Sequence, residues 1–319
     1  MMNIPYDYHK DSSYYSIVQT QADSWWIAGE SGVLKEVNRN GTTSNLAINL
    51  NGNDVFKMEA NEQNVYIVGQ GPSLYIIDKQ THKCKYFNFK DKLKNACFYD
   101  LVVLPNNQII LCGGNHKIAH AKKTIPNGFI ALLNPENEKE EIQIMKKTPF
   151  QFYFAITQSK KDSTLYASSF NGYHSTIYKS KNGIKWERYK SIKGIIHDLM
   201  LDQNENLWFS GTNGMNYHKH GLIGYVKNKN IEKSTTNSGC IWRIIEQNNN
   251  IVAVNVKGDL LIFDKNTLNY QIEKTGFEKP IYCIGINDYQ EILIGGHGKS
   301  IKIKLPTNNE ERNVHLSKN

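Results

Sequence analysis

Arginine is scarce in this sequence: only 4 of its 38 basic side chains are Arg, and the rest are Lys. With 30 acidic side chains the net charge is +8. Recognition of phosphate and guanine relies on the planar fork of Arg, whereas scattered Lys more often forms a solvated surface. The lysines form no long run along the chain, so the composition does not favour a nucleic-acid partner.

Cysteine pairs and long apolar runs are also missing. The five cysteines are odd in number and no CxxC occurs, which argues against a zinc knuckle or a disulfide framework. Free thiols in a reducing compartment are the better interpretation. No uncharged apolar run reaches 18 residues, and the first 13 residues contain no apolar segment. We therefore expect a cytoplasmic protein with no membrane partner.

The hydrophobic periodicity of the sequence indicates no amphipathic helix, but a short strand-like segment recurs seven times. In each copy three strand-forming residues precede a small residue, and in five copies Gly follows three positions later. We expect the small residue and the later Gly to supply the positive φ of a tight hairpin. The seven segments lie at residues 25–29, 66–69, 110–113, 166–169, 208–211, 252–255 and 292–295.

An aromatic residue or His recurs upstream of each segment, at intervals of 40 to 54 residues. These residues are Tyr15, Phe56, Tyr99, Tyr153, His197, Trp242 and Tyr282. Repeats of about 40 to 45 residues built from short strands are typical of a β-propeller with four-stranded blades. We therefore predict an all-β, seven-bladed propeller of four-stranded antiparallel blades that forms a single domain, residues 1–319. The N-terminal segment is expected to supply the outer strand of the last blade, because an unpaired edge would template aggregation.

Three segments resemble known propeller repeats. Residues 204–214, NENLWFSGTNG, resemble the regulator-type repeat, and residues 24–37, SWWIAGESGVLKEV, resemble repeats of photosystem-assembly-type propellers. Residues 178–189, YKSKNGIKWERY, are similar to a sialidase-type (BNR-like) Asp-box in which Asn182 replaces the usual Asp. That last resemblance implies three arginines clamping a carboxylate, but the four arginines here occupy unlike repeat positions. The resemblances imply an architecture and no particular function.

Several histidines fall in turns that should lie on one face of the ring, on three consecutive blades. These are His116, His120, His174, His218 and His220, and His297 has the corresponding position on blade seven. Loop histidines are more often solvated polar residues than metal ligands. A divalent metal would need three or four converging donors with partners of their own.

The seven recurring aromatic or His positions should surround the channel mouth, where they either pack between blades or form a ligand cage. Among the residues that follow them, Asp100, Asp198 and Arg243 are the strongest candidates, because charges there must be solvated or paired. Either Asp198 or Asp100 bonds to backbone amides in a turn and Arg243 stacks on Trp242, or the three residues bind the polar group of a ligand. The predicted ligand-binding set is Tyr99, Asp100, Tyr153, His197, Asp198, Trp242, Arg243, Tyr282, His116, His120, His174, His218 and His220.

No serine nucleophile elbow, P-loop or dinucleotide glycine motif occurs, so no catalytic residue is predicted. The leading hypothesis is a non-catalytic interaction propeller without a cofactor that holds a protein, a peptide or a small anionic ligand at this face. The alternative is a metal-assisted lyase or hydrolase of an acidic sugar or related anion that uses the loop histidines. A third hypothesis is nucleic-acid binding through Lys117, Lys122, Lys123 and Lys219.

Overall fold

A computed structural model describes residues 2–4, 13–115, 127–137, 141–214, 216–227, 230–297 and 299–303. Within these ranges the chain forms 28 β-strands and one short 3-10 helix, Glu30–Gly32. No helix in this part of the chain is long and apolar enough to cross a membrane.

The strands belong to four concentric positions, from the channel outward. The innermost strands are β2 (Tyr14–Gln21), β6 (Val55–Ala60), β10 (Ala96–Val103), β14 (Phe152–Gln158), β18 (Ile195–Leu201), β22 (Ile241–Gln247) and β26 (Ile281–Ile286). The second strands are β3 (Ser24–Gly29), β7 (Asn64–Gly69), β11 (Ile109–Asn115), β15 (Leu165–Phe170), β19 (Leu207–Thr212), β23 (Asn250–Asn255) and β27 (Ile292–Gly296). The third strands are β4 (Leu34–Asn38), β8 (Ser73–Asp78), β12 (Asn127–Leu133), β16 (His174–Ser180), β20 (Gly221–Lys227), β24 (Asp259–Asp264) and β28 (Lys299–Ile303). The outermost strands are β5 (Thr43–Asn45), β9 (Cys84–Asn88), β13 (Ile142–Pro149), β17 (Glu187–Lys193), β21 (Asn230–Thr236), β25 (Tyr270–Lys274) and β1 (Met2–Ile4).

In the described ranges these strands pair into seven four-stranded antiparallel sheets, which we call blades one to seven in chain order of their innermost strands. Each innermost strand contacts the innermost strands of the two neighbouring blades, and β26 contacts β2, so the blades form a closed ring. The prediction of an all-β propeller built from four-stranded antiparallel blades is therefore confirmed.

The last blade is completed from the other end of the chain. Strand β1 pairs antiparallel with β28, with Met2 opposite Lys302 and Ile4 opposite Ser300. The sheet order of this blade is β1, β28, β27, β26. The N-terminal strand thus covers an edge that would otherwise be left unpaired, which joins the two ends of the ring.

Apolar side chains fill the space between adjacent blades. Trp26, Met58 and Ile67 meet between blades one and two, and Trp208, Ile244 and Phe263 meet between blades five and six. Comparable clusters lie at the other blade junctions. Burial of these clusters supplies the main driving force for closing the ring.

Each innermost strand has a β-bulge near its start, and the bulge explains the small residue in the repeat. A Cβ atom on Gly29, Gly69 or Gly211 would lie 1.9, 1.9 or 1.8 Å from the carbonyl oxygen of the residue at, or just before, the start of the innermost strand beside it. These glycines are required by close backbone approach, and Gly29 has an extended φ of −173°. The expectation that they supply positive φ is wrong for this position. It holds for later glycines such as Gly172 and Gly214, whose φ angles are 97° and 114°.

Candidate binding site at the channel mouth

The site lies on the face where every innermost strand begins. Because the strands in a blade alternate in direction, this face also receives the turns between second and third strands, and we call it the upper face. The opposite, lower face receives the turns between first and second strands. The turn between β19 and β20 therefore lies on the upper face, as the sequence predicts.

The bulges place seven rings around the channel mouth. At each bulge the register skips one residue, and the skipped residues are Tyr15, Phe56, Tyr99, Phe154, His197, Trp242 and Tyr282. Neighbouring rings are in contact all the way round, with centroid separations between 4.4 Å for His197 and Trp242 and 6.2 Å for Tyr15 and Phe56. We call this closed circle the aromatic collar.

The collar includes six of the seven positions that the repeat predicts, and the exception is Tyr153. Its ring is fully buried and packs against Tyr178 between blades three and four, while its hydroxyl lies 2.8 Å from that of Thr148. Phe154, the next residue, occupies the bulge and lies between Tyr99 and His197 in the collar. The prediction of Tyr153 as a collar residue is wrong because the bulge shifts the register by one.

Most collar rings keep part of their surface accessible. Six of them are half-buried, and only His197, at 8% exposed, is buried. Packing between neighbours therefore covers part of each ring and leaves part of its surface accessible. The rings pack on one another around an opening, and the ligand cage stays a prediction.

Tyr217, from the turn between β19 and β20, folds back over one side of the collar. Its ring stacks on Trp242 at 5.9 Å with a 16° interplanar angle and lies 5.7 Å from His197. The Cys240 backbone N–H donates to the Tyr217 carbonyl at 2.7 Å and holds this turn in place. Beneath it, Trp242 Nε1 and His197 Nε2 are buried without a hydrogen-bond partner in the described structure. A buried polar atom without a partner is costly, so these two atoms mark a place where a ligand group could bond.

The environment of the collar keeps its titratable groups neutral. Burial, assisted by the Arg243 guanidinium, lowers the pKa of His197 to about 3. Burial and the Glu30 carboxylate raise the pKa of Tyr15 to about 12. The collar is thus an uncharged aromatic surface near neutral pH.

A layer of paired charges lies directly below the collar. Arg243 Nη1 is 3.2 Å from Asp198 Oδ1, and Lys57 Nζ is 3.3 Å from Asp100 Oδ1. Arg243 Nη2 also donates to the Phe56 carbonyl at 3.4 Å, which ties blade six to blade two across the channel. Asp198 and Arg243 therefore neutralise each other, and Lys57 neutralises Asp100.

The two carboxylates also join neighbouring blades. Asp100 Oδ2 accepts a hydrogen bond from the Ile156 N–H at 3.0 Å, and Asp198 Oδ2 accepts one from the Ile244 N–H at 2.9 Å. In each bond the amide belongs to the innermost strand of the next blade. The sequence left two roles open for Asp100 and Asp198. The geometry shows the first, hydrogen bonding to backbone amides, and these amides lie in strands and not in a turn.

Burial disturbs the pKa values in this layer in both directions. For Lys57, burial lowers the pKa, but the carboxylates of Asp100, Asp198 and Glu59 together outweigh it, so the net pKa is raised. Burial raises the pKa of Asp198 even though Arg243 opposes it. Burial also raises the pKa of Glu59, two residues along β6 from Lys57, to about 7. A cavity of about 320 Å³ adjoins the layer and is lined in part by Tyr15, Lys57 and Arg243.

The histidines of the upper turns form no metal-holding cluster among the described residues. His174, His218 and His220 are all exposed, and His116 and His120 lie outside the described residues. His297 Nδ1 lies 3.1 Å from the Ser13 hydroxyl. Among the residues that the structure describes, no group of three or more His, Cys, Asp and Glu side chains could hold a metal ion.

Phe154, Lys57, Tyr217 and Glu59 belong to the site but were not in the predicted ligand-binding set. Tyr217 occupies a long turn with no repeat counterpart, so no periodicity could identify it. Glu59 lies two residues after Lys57, so both side chains are on the same face of strand β6. A Lys-x-Glu pair on an innermost strand could therefore have identified Glu59 as a site residue.

No protein-family model matches the sequence, and no curated protein matches it either. Among solved structures, the chain is similar to a streptogramin B lyase, with 12% identity and a TM-score of 0.74 over 94% of this chain and 97% of that one. It is also similar to YCF48 bound to D1 peptide, with 14% identity and a TM-score of 0.69 over 95% of this chain and 100% of that one. The WD40 propeller domain of Doa1 aligns with 10% identity and a TM-score of 0.68 over 95% of this chain and 97% of that one.

Identities this low carry information about architecture and none about substrates or partners. The neighbours include lyases and a peptide-bound propeller, so a shared fold does not select between the two functions. What the comparisons establish is that this chain has a β-propeller fold.

Proposed function

We propose that the protein is a non-catalytic interaction propeller that binds a segment of a protein or peptide at the upper face. In this proposal an apolar or aromatic side chain of the partner enters the aromatic collar. The observation that carries the proposal is the unbroken contact of seven rings, six of them half-buried, around the channel mouth.

The collar has the chemistry of a peptide-anchoring site. Aromatic rings bury large apolar areas with little loss of side-chain freedom, and energetically dominant interface contacts cluster in such partly desolvated places. Paired charges below the collar leave no strong net charge at its floor, which suits a neutral side chain better than a free ion.

Polar groups at the side of the collar would fix the direction of the bound chain. Trp242 Nε1 is a donor, and His197 Nε2 donates or accepts according to its tautomer. A backbone carbonyl of a bound peptide could accept from Trp242 if Tyr217 moved aside. Two of the similar propellers fit a partner of this kind, since one is a WD40 domain and the other was solved with a bound peptide.

The test begins with a phage-displayed library of random peptides selected on the immobilised protein. The best peptide is labelled with fluorescein, and its affinity is measured by fluorescence anisotropy for the wild type and for the collar variants Trp242→Ala and Phe56→Ala. We expect each collar variant to lose about 30-fold or more in affinity, the scale of a central interface contact. The control is Tyr289→Ala, which removes a ring 48% exposed on the lower face and should leave affinity unchanged.

Selected peptides that bind the collar variants and the control variant equally well would overturn the proposal. So would peptides that all depend on Tyr289.

A metal-assisted lyase is the competing function, and metal content separates the two. We expect protein purified without chelator to contain less than about 0.1 equivalent of zinc, manganese or magnesium by elemental analysis, against the one equivalent of a built site. A stoichiometric metal that is lost in both His174→Ala and His218→Ala would instead support the enzyme.

A further inference from the structure

The net charge of the molecule is concentrated in one sector of the ring. Residues 141–193 contain ten Lys and Arg but only three Asp and Glu, so this stretch holds seven of the eight net positive charges. It comprises the outermost strand of blade three, β13, and the whole of blade four. We call this surface the basic sector.

The carboxylates of the basic sector do not balance its cations. Asp162 pairs with Lys181 at 2.5 Å and Glu187 pairs with Lys179 at 3.0 Å. The exposed cations of the sector are Lys147, Lys160, Lys161, Lys181, Lys185, Arg188 and Lys193. By contrast, the outer strands of the next two blades are balanced, since β21 and β25 each have one Lys and one Glu.

Cations lie on both sides of blade four, beside its third and outermost strands. Lys146 Nζ, from β13, lies 4.4 Å from the centre of the Tyr178 ring on the side of blade three. Lys179 and Lys190 lie 5.3 and 5.6 Å from the centre of the Tyr189 ring. A strand of seven residues is about 20 Å long, so the positive surface extends over the height of the blade.

Two exposed aromatic side chains lie at the upper end of the same sector. Tyr173 is 80% exposed and Phe150 is 61% exposed. Both lie next to the end of blade four at which Phe152 pairs with Phe170. Phe150 has a φ of 58°, a left-handed conformation that is costly for a bulky residue and would suit Gly.

We propose that the basic sector binds single-stranded nucleic acid, with phosphates along β13 and β17 and bases stacked on Phe150 and Tyr173. Positive surface beside aromatic platforms is the arrangement that binds single strands without sequence preference. The scarcity of Arg does not oppose this, because neutralising phosphates requires charge and not a bidentate fork. An anionic bilayer fits less well, since the exposed apolar side chains of the sector are spread over strand β13 (Ile144), a lower turn of blade four (Ile184) and its upper end (Phe150 and Tyr173).

The test measures anisotropy of a fluorescein-labelled thymidine oligonucleotide of about 20 nucleotides at several salt concentrations from about 50 mM upward. Binding should weaken as salt rises. The slope of log K against log salt is negative, and each phosphate contact on a single strand contributes about 0.7 to its magnitude. The double variant Arg188→Gln, Lys193→Gln should therefore reduce the magnitude of the slope by about 1.4. The matched control is Lys227→Gln, Lys233→Gln, which removes the same charge from exposed lysines of blade five and should leave the slope unchanged.

The stacking platform is tested with Phe150→Gly and Tyr173→Ala. Each should weaken binding about tenfold without changing the salt slope, and Phe150→Gly should fold normally because Gly accepts a positive φ. Tyr289→Ala again serves as the control.

Three outcomes would overturn the proposal. The first is no binding of the oligonucleotide at about 50 mM salt. The second is an equal reduction of the salt slope in the blade-four double variant and in its blade-five control. The third is equally tight, equally salt-dependent binding of poly-glutamate or of phosphatidylserine vesicles, which would indicate an unselective polyanion surface.

Discussion

At the scale of single residues, the channel is held together by charges that are buried and paired. Asp198 accepts a hydrogen bond from Ile244 of the next blade and contacts Arg243, whose other nitrogen reaches blade two. A buried ion pair contributes little by itself, but removal of one partner leaves an uncompensated charge. These residues therefore determine the geometry of the floor below the collar.

Substitution of Asp198 by Asn tests this arrangement. The amide can still accept from Ile244, but Arg243 loses its carboxylate, so we expect the free energy of unfolding to fall by about 3 kcal/mol. Urea denaturation followed by circular dichroism measures the change. The double variant Asp198→Asn, Arg243→Met should recover more than half of the loss. A loss below about 1 kcal/mol in the single variant would show that the pair is not energetically coupled.

Glu59 should give the fold a pH dependence. Burial raises its pKa from 4.5 to about 7, so the folded chain holds this proton more tightly than the unfolded chain does. The contribution of Glu59 to the free energy of unfolding therefore falls by about 3 kcal/mol as pH rises from 4.5 to about 7, and it stays constant above that pH.

The measurement compares Glu59→Gln with the wild type by urea denaturation across this pH range. His197, whose pKa burial lowers from 6.5 to about 3, contributes a slope of opposite sign below pH 6.5 in both proteins, so it cancels in the difference. The variant should gain stability relative to the wild type with increasing pH. A difference that does not change with pH would contradict the burial of a neutral Glu59.

At the scale of strands and turns, the bulge near the start of each innermost strand is the element that creates the site. It brings a carbonyl against the second strand, which requires a residue such as Gly69 or Gly211 there, and it directs the skipped ring to the channel mouth. One local irregularity, repeated around the ring, thus makes both the repeat pattern and the collar.

This element also explains what the sequence could predict. Spacing alone identified Tyr15, Phe56 and Trp242, because the bulge recurs at the same place in each repeat. It failed at Tyr153 and Phe154, where two aromatic residues are adjacent and the preceding interval is lengthened by residues 115–127. Tyr217 could not be predicted, because the conformation of a long turn depends on contacts such as the Cys240 to Tyr217 bond and not on periodicity.

Strand β1 provides a test at this scale. Deletion of residues 2–4 should lower the free energy of unfolding by about 2 kcal/mol, since it removes three residue pairs from β28 and exposes that edge. Thermal unfolding and light scattering would measure the loss of stability and the increase in aggregation. Replacement of the same residues by Ala keeps the backbone and should have little effect. Equal stability of the deletion variant would show that the ring closes without β1.

At the scale of the whole molecule, the closed ring presents two distinct surfaces. The collar is neutral and lies on the axis, whereas the basic sector lies on the rim at blades three and four. A propeller can hold two partners at such separate places, because each blade keeps its packing when the loops of another blade change. Charge variants in the basic sector should therefore leave peptide binding at the collar intact.

Hydrogen–deuterium exchange with and without the selected peptide tests the central claim, binding at the collar, most directly. We expect the peptide to slow exchange at the starts of the innermost strands, above all β18 and β22, and in the turn between β19 and β20. The turns of the lower face should exchange at unchanged rates. Protection confined to the lower face or to the outermost strands, with none around His197 and Trp242, would contradict the account.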